Sequence, residues 1–322
     1  VRDLANGQGF PFERVVLGGD HAGPNPWRSE SAAVAMARSR NLVKELVVAG
    51  FSKIHLDASM HCADDASGEQ VPLPGRVIAE RAADLCETAE SAFEETERNT
   101  APPVYVIGTE VPPPGGAASE LHDILPTTVE DVQQTIEITR QSFLSRGLEA
   151  AWTRVAAVVV QPGVEFGNDS VVRYDRDRAS GLVAYIESQE NLVYEAHSTD
   201  YQPRQALKEM VEDHFAILKV GPWLTFAFRE AVFALAHIEN EWLSSRPGVA
   251  LSNLPAVLDR VMVSNPEHWE SHYLGTESEI AYARKYSWSD RSRYYWTHPD
   301  VQGALARLVN NLSATPAPVG LL

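Results

Sequence analysis

Apolar residues gather in six short runs, and each run breaks off at a charged or glycine-containing corner. Residues 15–17 lead into Gly18-Gly19-Asp20-His21, 54–56 into Asp57, and 104–107 into Gly108-Thr109-Glu110. Residues 155–160 lead into Gln161-Pro162-Gly163-Val164-Glu165, 192–194 into Glu195-Ala196-His197, and 216–220 into Gly221. Continuous β-branched runs, rather than alternating ones, suit strands of a parallel sheet covered by helices. In a (β/α) barrel the carboxyl ends of the strands are where catalytic groups collect. Asp20, His21, Asp57, Glu110, Glu165 and His197 are thereby expected to point into one mouth.

Between the runs the spacing turns helical. Val129, Val132, Ile136 and Phe143 recur at helical intervals, with Thr127 and Glu130 placed as a capping box. Pro72 and Pro74 open another helix through Val77, Ile78, Ala82 and Leu85, and its acidic end at 94–97 reads as a solvated helix face. A long, largely apolar helix is expected over 226–242, followed by a tail rich in proline and aromatic residues with a helix through Val301, Leu305 and Leu308. The even alternation favours one domain over 1–322, with barrel strands and helices to 225 and a helical extension over 226–322. Six strands are too few for a closed eight-stranded barrel, so either the sheet is open or two βα units lie upstream of Val1.

Composition narrows the partners. The formal net charge is −17, from 44 acidic and 27 basic residues, which argues against nucleic acid or an anionic membrane as partner. An anionic substrate must then be met by local Arg or Lys. Two cysteines, Cys62 and Cys86, have no disulfide-framework or zinc-finger spacing, and a reducing cytoplasm fits best. No apolar stretch approaches the ~20 residues of a membrane span.

The string Gly18-Gly19-Asp20-His21-Ala22-Gly23-Pro24-Asn25-Pro26-Trp27 is the most distinctive. Gly18 and Gly23 have the outer spacing of a phosphate-binding loop, but Pro24-Asn25 stand where Lys-Ser or Lys-Thr would reach phosphate and metal. No Gly-x-Gly-x-x-Gly follows a strand, so no nucleotide cofactor is expected. The string resembles the Z-subunit family of tagatose-bisphosphate aldolases (GatZ/KbaZ type). The likeness continues through 53–60, 106–112, 161–167, 194–202, 213–222 and 286–291, with small departures at Ala22, where Leu is usual, and His61, where a small residue is usual.

The resemblance implies a TIM (β/α)8 barrel whose first two βα units belong to an N-terminal region that this chain lacks, and a distant relation to class II, metal-dependent ketose-bisphosphate aldolases. It implies that Asp20 moves a proton beside the ligand His21, with Asp57 and Glu110 as further acid–base candidates. His21, Glu165 and His197 are the implied ligands of a divalent metal, zinc by analogy. His55 and His214 lie within or just before strands and are expected to be core or supporting residues, while His61 is incidental. Ser287, Ser289, Arg291 and Arg293, with Gly221 at the last strand end, suit a phosphate; the arginines alternatively pair with the abundant carboxylates. Asn25, Gln161 and Asp200 are the expected substrate contacts.

The C4 hydrogen of a ketose is not flanked by a carbonyl, so inversion there requires transient oxidation or cleavage and re-formation of the C3–C4 bond. Without a nucleotide site the second route is expected: 4-epimerisation of tagatose 6-phosphate to fructose 6-phosphate if the aldehyde is retained, or an aldolase if it escapes. The family also contains non-catalytic members that stabilise a separate aldolase catalytic subunit, which is the rival expectation. Assembly as a homo-oligomer is left open.

Overall fold

The computed structural model describes residues 1–65, 72–96, 101–108 and 124–321. Six strands lie side by side, all parallel, in the order β1 (Gly18–Ala22), β2 (Lys53–Leu56), β3 (Val104–Ile107), β4 (Val155–Val160), β7 (Val193–Ala196) and β8 (Ile217–Leu218). A separate antiparallel pair, β5 (Glu165–Phe166) and β6 (Val171–Val172), interrupts the series after β4. The helices, in chain order, are α1 (Arg2–Gly7), α2 (Ala32–Ala49), α3 (Gly75–Glu94), α4 (Val129–Leu144), α5 (Glu149–Trp152) and α6 (Arg176–Glu187). After these come α7 (Arg204–Glu212), α8 (Trp223–Leu243), α9 (Leu254–Ser264), α10 (Glu277–Tyr286) and α11 (Pro299–Ala314). No helix among the described residues is long and apolar enough to cross a membrane.

Five of the six apolar runs overlap strands of the parallel sheet, and the first, 15–17, leads directly into one. The first strand begins at Gly18 rather than within 15–17, and Val16 is exposed. The helix after Thr127 is capped one residue later than its capping-box pattern suggests, by Thr128, whose hydroxyl accepts from the Asp131 amide. The long helix starts at Trp223, ahead of 226.

A strand's side chains alternate between the two faces of its sheet. Ile54, Leu56, Tyr194 and Ala196 pack outward into the main core with Val43, Leu85, Phe143, Leu182 and Met210 of the helical layer. Val106, Ala157 and Val159 form a separate inner cluster with Val193 and Ile217. Pairing sets His55 beside Val106, Val159 beside Glu195, and Glu195 beside Ile217. Lys53, His55 and Glu195 therefore share the inner face.

That face is concave. Strands β1 and β8 are the two edges, five spacings apart, which is about 24 Å in a flat sheet. Yet Lys219, directly after β8, places its Nζ 3.6 Å from Asp20 Oδ1 of β1. The sheet is a curled half-barrel, consistent with a TIM-like fold. A second core lies among α8, α9 and α11, through Phe233, Leu254, Leu258, Trp296, Val301 and Leu308.

Gly23 sets the approach of β1 to β2. A Cβ there would lie 1.6 Å from the Asp57 carbonyl oxygen. Gly23→Ala is expected to destabilise the protein by about 3 kcal/mol, since backbone must move. Gly303→Ala, in α11 with nothing within 4 Å of the new Cβ, should stabilise by roughly 0.5–1 kcal/mol. Denaturant unfolding of the two variants checks the opposite signs.

Candidate metal centre at the strand ends

Three imidazoles from three strands meet inside the curl. The ring centroids of His21, His55 and His197 are 5.4 Å (His21–His55), 5.4 Å (His21–His197) and 5.6 Å (His55–His197) apart. Strict alternation after the inward Asp20 would send His21 to the outer face. The β1–β2 register shifts between Gly19 and Ala22, and His21 adopts φ 50°, so both consecutive side chains reach the centre. Ser198, beside His197, is likewise left-handed at φ 53°.

Glu195 is the carboxylate at the middle of the group. Its Oε1 lies 2.9 Å from His197 Nε2, 3.8 Å from His55 Nδ1 and 3.4 Å from Lys219 Nζ, while Lys53 Nζ is 2.8 Å from its Oε2. Burial opposes its charge, but His197, His55 and the two lysines hold its carboxyl well below the usual range. Among the described residues, His55, Glu195 and His197 are the set whose ligand atoms all lie within 4.8 Å of one another. One carboxylate with imidazole nitrogens is a donor set that suits zinc.

His55 and His197 are held in the ligating, neutral form. Burial depresses His55 to about 3, against the partial pull of Glu195 and Asp57, and depresses His197 as well. His55 Nε2 is buried without a hydrogen-bond partner. Asp57 Oδ2 lies 2.8 Å from His21 Nδ1, and Asp57 also accepts from the Ser59 amide and hydroxyl. Despite burial, these hydrogen bonds and the nearby His55 keep Asp57 ionised down to about 2. An ionised carboxylate only accepts, so Nδ1 of His21 carries the proton and Nε2 presents a lone pair to the centre.

The other expected site residues are placed as follows. Asp20 is in the centre, its Oδ1 2.7 Å from Lys53 Nζ, and its carboxyl is held low by Lys53 and Lys219 against burial. Its side chain is 41% exposed against 1% for Asp57, so Asp20 can exchange a proton with a bound molecule and Asp57 cannot readily do so. Glu110 lies outside the described residues. Glu165 sits in the β5–β6 hairpin after a turn at Gly163 (φ 87°), where its Oε1 accepts from the Phe166 amide. It is buried with a raised pKa, and it does not belong to the closely spaced ligand group.

Asp200 accepts from the amides of Gly221 and Trp223, so it caps the start of α8 and already engages the Gly221 N–H expected to meet phosphate. Gln161 Oε1 accepts from the amides of Gly163 and Val164 and shapes that turn. Asn25 lies in a short 3-10 helix, Asn25–Trp27. Ser287 and Ser289 both donate to Asn168 Oδ1. Arg291 donates to the His268 carbonyl and Arg293 to those of Ser289 and Asp290. Among the described residues, neither guanidinium has a carboxylate partner, and Arg291 is buried with its Nε unpartnered.

Lys53, Glu195 and Lys219 are central residues that the run-end reading passes over, and His55 moves from a supporting place into the group itself. The signal for them is alternation within each run: Lys53, His55 and Asp57 are two apart, as are Glu195 and His197, and Ile217 and Lys219.

The curled parallel sheet with a candidate metal centre at its strand ends defines an α/β protein of TIM-like architecture. The chain belongs to the D-tagatose-1,6-bisphosphate aldolase subunit GatZ/KbaZ-like family, whose model matches residues 1–322, as the quoted motifs imply. It is 50% identical to "D-tagatose-1,6-bisphosphate aldolase subunit GatZ" of Klebsiella pneumoniae subsp. pneumoniae, with 100% of this chain and 74% of that protein aligned. The protein of the same name from Klebsiella oxytoca is 49% identical over the same shares. A crystal structure of a probable tagatose 6 phosphate kinase from Sinorhizobium meliloti 1021 superposes with a TM-score of 0.84 at 41% identity, covering 99% of this chain and 76% of that one.

Acid titration tests the environment of His55. Its pKa is lowered from an ordinary 6.5 to about 3, so below pH 6.5 the unfolded chain binds the proton that the folded chain refuses. Stability is full above pH 6.5 and is lost as pH falls toward 3. Between pH 7 and 5, where the carboxylates stay ionised, His55 should account for a loss of up to about 2 kcal/mol. In chelator-treated protein, urea unfolding of His55→Gln should show a correspondingly shallower decline than the unaltered chain.

Proposed function

We propose that the chain is a metal-dependent enzyme of sugar-phosphate metabolism that interconverts tagatose 6-phosphate and fructose 6-phosphate by cleaving and re-forming the C3–C4 bond. The observation that carries this reading is the convergence of His21, His55, His197 and Glu195 beside the ionised Asp20 on one concave sheet face. His55, Glu195 and His197 would hold the ion, with His21 Nε2 adjoining. Buried neutral imidazoles and one ionised carboxylate fit such a group. The chemistry the ion supplies is Lewis-acid stabilisation of the charge left on the three-carbon ketose fragment.

The chain's own residues do the rest. Asp20 accepts the proton of the C4 hydroxyl as the C3–C4 bond breaks, C4 becomes the aldehyde carbon, and the bonding pair stays on C3. Rotation of the retained aldehyde presents its other face, C3 adds to it, and Asp20 returns the proton to the oxygen. Asp57 positions His21 rather than exchanging protons, being buried and bonded to that ring. Lys53 balances Asp20 and Glu195 and keeps both ionised. Arg291 and Arg293, without carboxylate partners, supply the positive charge suited to a phosphate, with Ser287 and Ser289 beside them.

A second reading is favoured by the word "subunit" in the names of the relatives: a non-catalytic partner that stabilises a separate aldolase chain. The retained set of ligand, base and charge-balancing side chains argues for chemistry.

Incubation with tagatose 6-phosphate should yield fructose 6-phosphate without partner chain or nucleotide, and His197→Ala should lower metal content and turnover together. In deuterated water the product's C4 should stay unlabelled, because its C–H bond is never broken. Label at C4 would reject the cleavage route. An inert metal-loaded protein that stabilises a separate aldolase chain would establish the second reading.

A further inference from the structure

Lys219 is neither ligand nor proton carrier in the reading above, yet its ammonium is surrounded by the centre's own donors. Nζ lies 3.3 Å from His21 Nε2, 3.5 Å from His55 Nδ1, 3.4 Å from Glu195 Oε1 and 3.6 Å from Asp20 Oδ1. Lys53 differs: its close contacts are the carboxylates of Asp20 at 2.7 Å and of Glu195, on the outer oxygen Oε2, at 2.8 Å. We propose that Lys219 is a tethered cation that competes with a divalent metal ion for these donor atoms and thereby sets the centre's metal affinity. This rests on the metal-centre reading given above.

The competition follows from lone pairs. Zinc bonds imidazole nitrogen and carboxylate oxygen at ~2.0–2.2 Å through the lone pairs that otherwise accept from an ammonium. The facing lone pairs of His21 Nε2, His55 Nδ1 and Glu195 Oε1 cannot serve both cations, and the two positive charges repel at that range. Metal entry therefore requires Lys219 to withdraw. Its flexible four-carbon stem allows this, and its side chain is already 18% exposed, so withdrawal needs no opening of the core. Lys53 stays, because its hold on Glu195 Oε2 leaves Oε1 turned to the histidines.

The test is zinc and manganese affinity of the whole protein, measured by competition with a chromophoric chelator. Removing a tethered competitor acts by mass action, so Lys219→Met should bind about tenfold more tightly or better. Lys53→Met removes the same charge but loses support for Glu195 and should bind more weakly. Equal or weaker binding by folded Lys219→Met overturns the proposal, as does equal tightening in both variants, which would reduce it to net charge. Acetic anhydride labelling of the unaltered protein needs no substitution: zinc should raise Lys219 acetylation, and unchanged acetylation with zinc demonstrably bound overturns the proposal. Absence of metal binding by every form would instead remove the metal-centre reading, and this inference with it.

Discussion

Enclosing Asp20, Glu195, Asp57, Lys53 and Lys219 within the curl of one sheet imposes a single electrostatic constraint: each charge must be paired or hydrogen-bonded there. Removal from water costs several kcal/mol per unpaired ion, and breaking one member of such a set is far more damaging than never having it. Lys53 joins β1 to β7 through Asp20 and Glu195, and Lys219 joins β8 to β1. The same contacts that neutralise the charges hold the two edges of the sheet toward each other. His55 and His197 answer the same burial in the other sense: it disfavours their charged form and keeps them neutral.

Neutral imidazole is the state that ligates, so the burial that makes the centre expensive also makes it chemically ready. Asp57 contributes at one remove, by fixing which nitrogen of His21 carries hydrogen. Such partners commonly matter to a metal site nearly as much as the ligands do. Asp20 differs from Asp57 in one respect: its carboxylate is open to solvent, whereas that of Asp57 is enclosed.

Strand existence was legible in the chain because five of the six apolar runs overlap strands and the first leads straight into one, and the quoted motifs identify the family across the whole length. Strand ends were less legible. Glycine at 18 and 19 reads as a corner, yet pairing with Lys53 and Ile54 extends β1 through it. Lys53, His55 and Lys219 were present as a two-residue alternation within or beside the runs, which the search for residues after each run did not sample, and Glu195, at a run end, was passed over for His197. Glu165 could not be placed from sequence, because a turn at Gly163 and a two-residue hairpin redirect it, and neither leaves a periodic trace. Gln161 and Asp200 were expected to contact substrate and Gly221 a phosphate; in the structure Gln161 accepts from the amides of its own turn, and Asp200 accepts from those of Gly221 and Trp223.

Tyr201 gives the C-terminal helices a meaning beyond bulk. Its ring touches Phe166, Trp223, Phe226 and Trp288, and its hydroxyl donates to the Trp288 carbonyl. A division at 225/226 would sever α8 near its first turn and separate this ring from Phe226 and Trp288. The extension is thus not a detachable module: its aromatic residues are the lining of the loop that follows His197. Swapping it between relatives would exchange the aromatic packing around that loop, and lineages that vary there are expected to vary in how the loop is held.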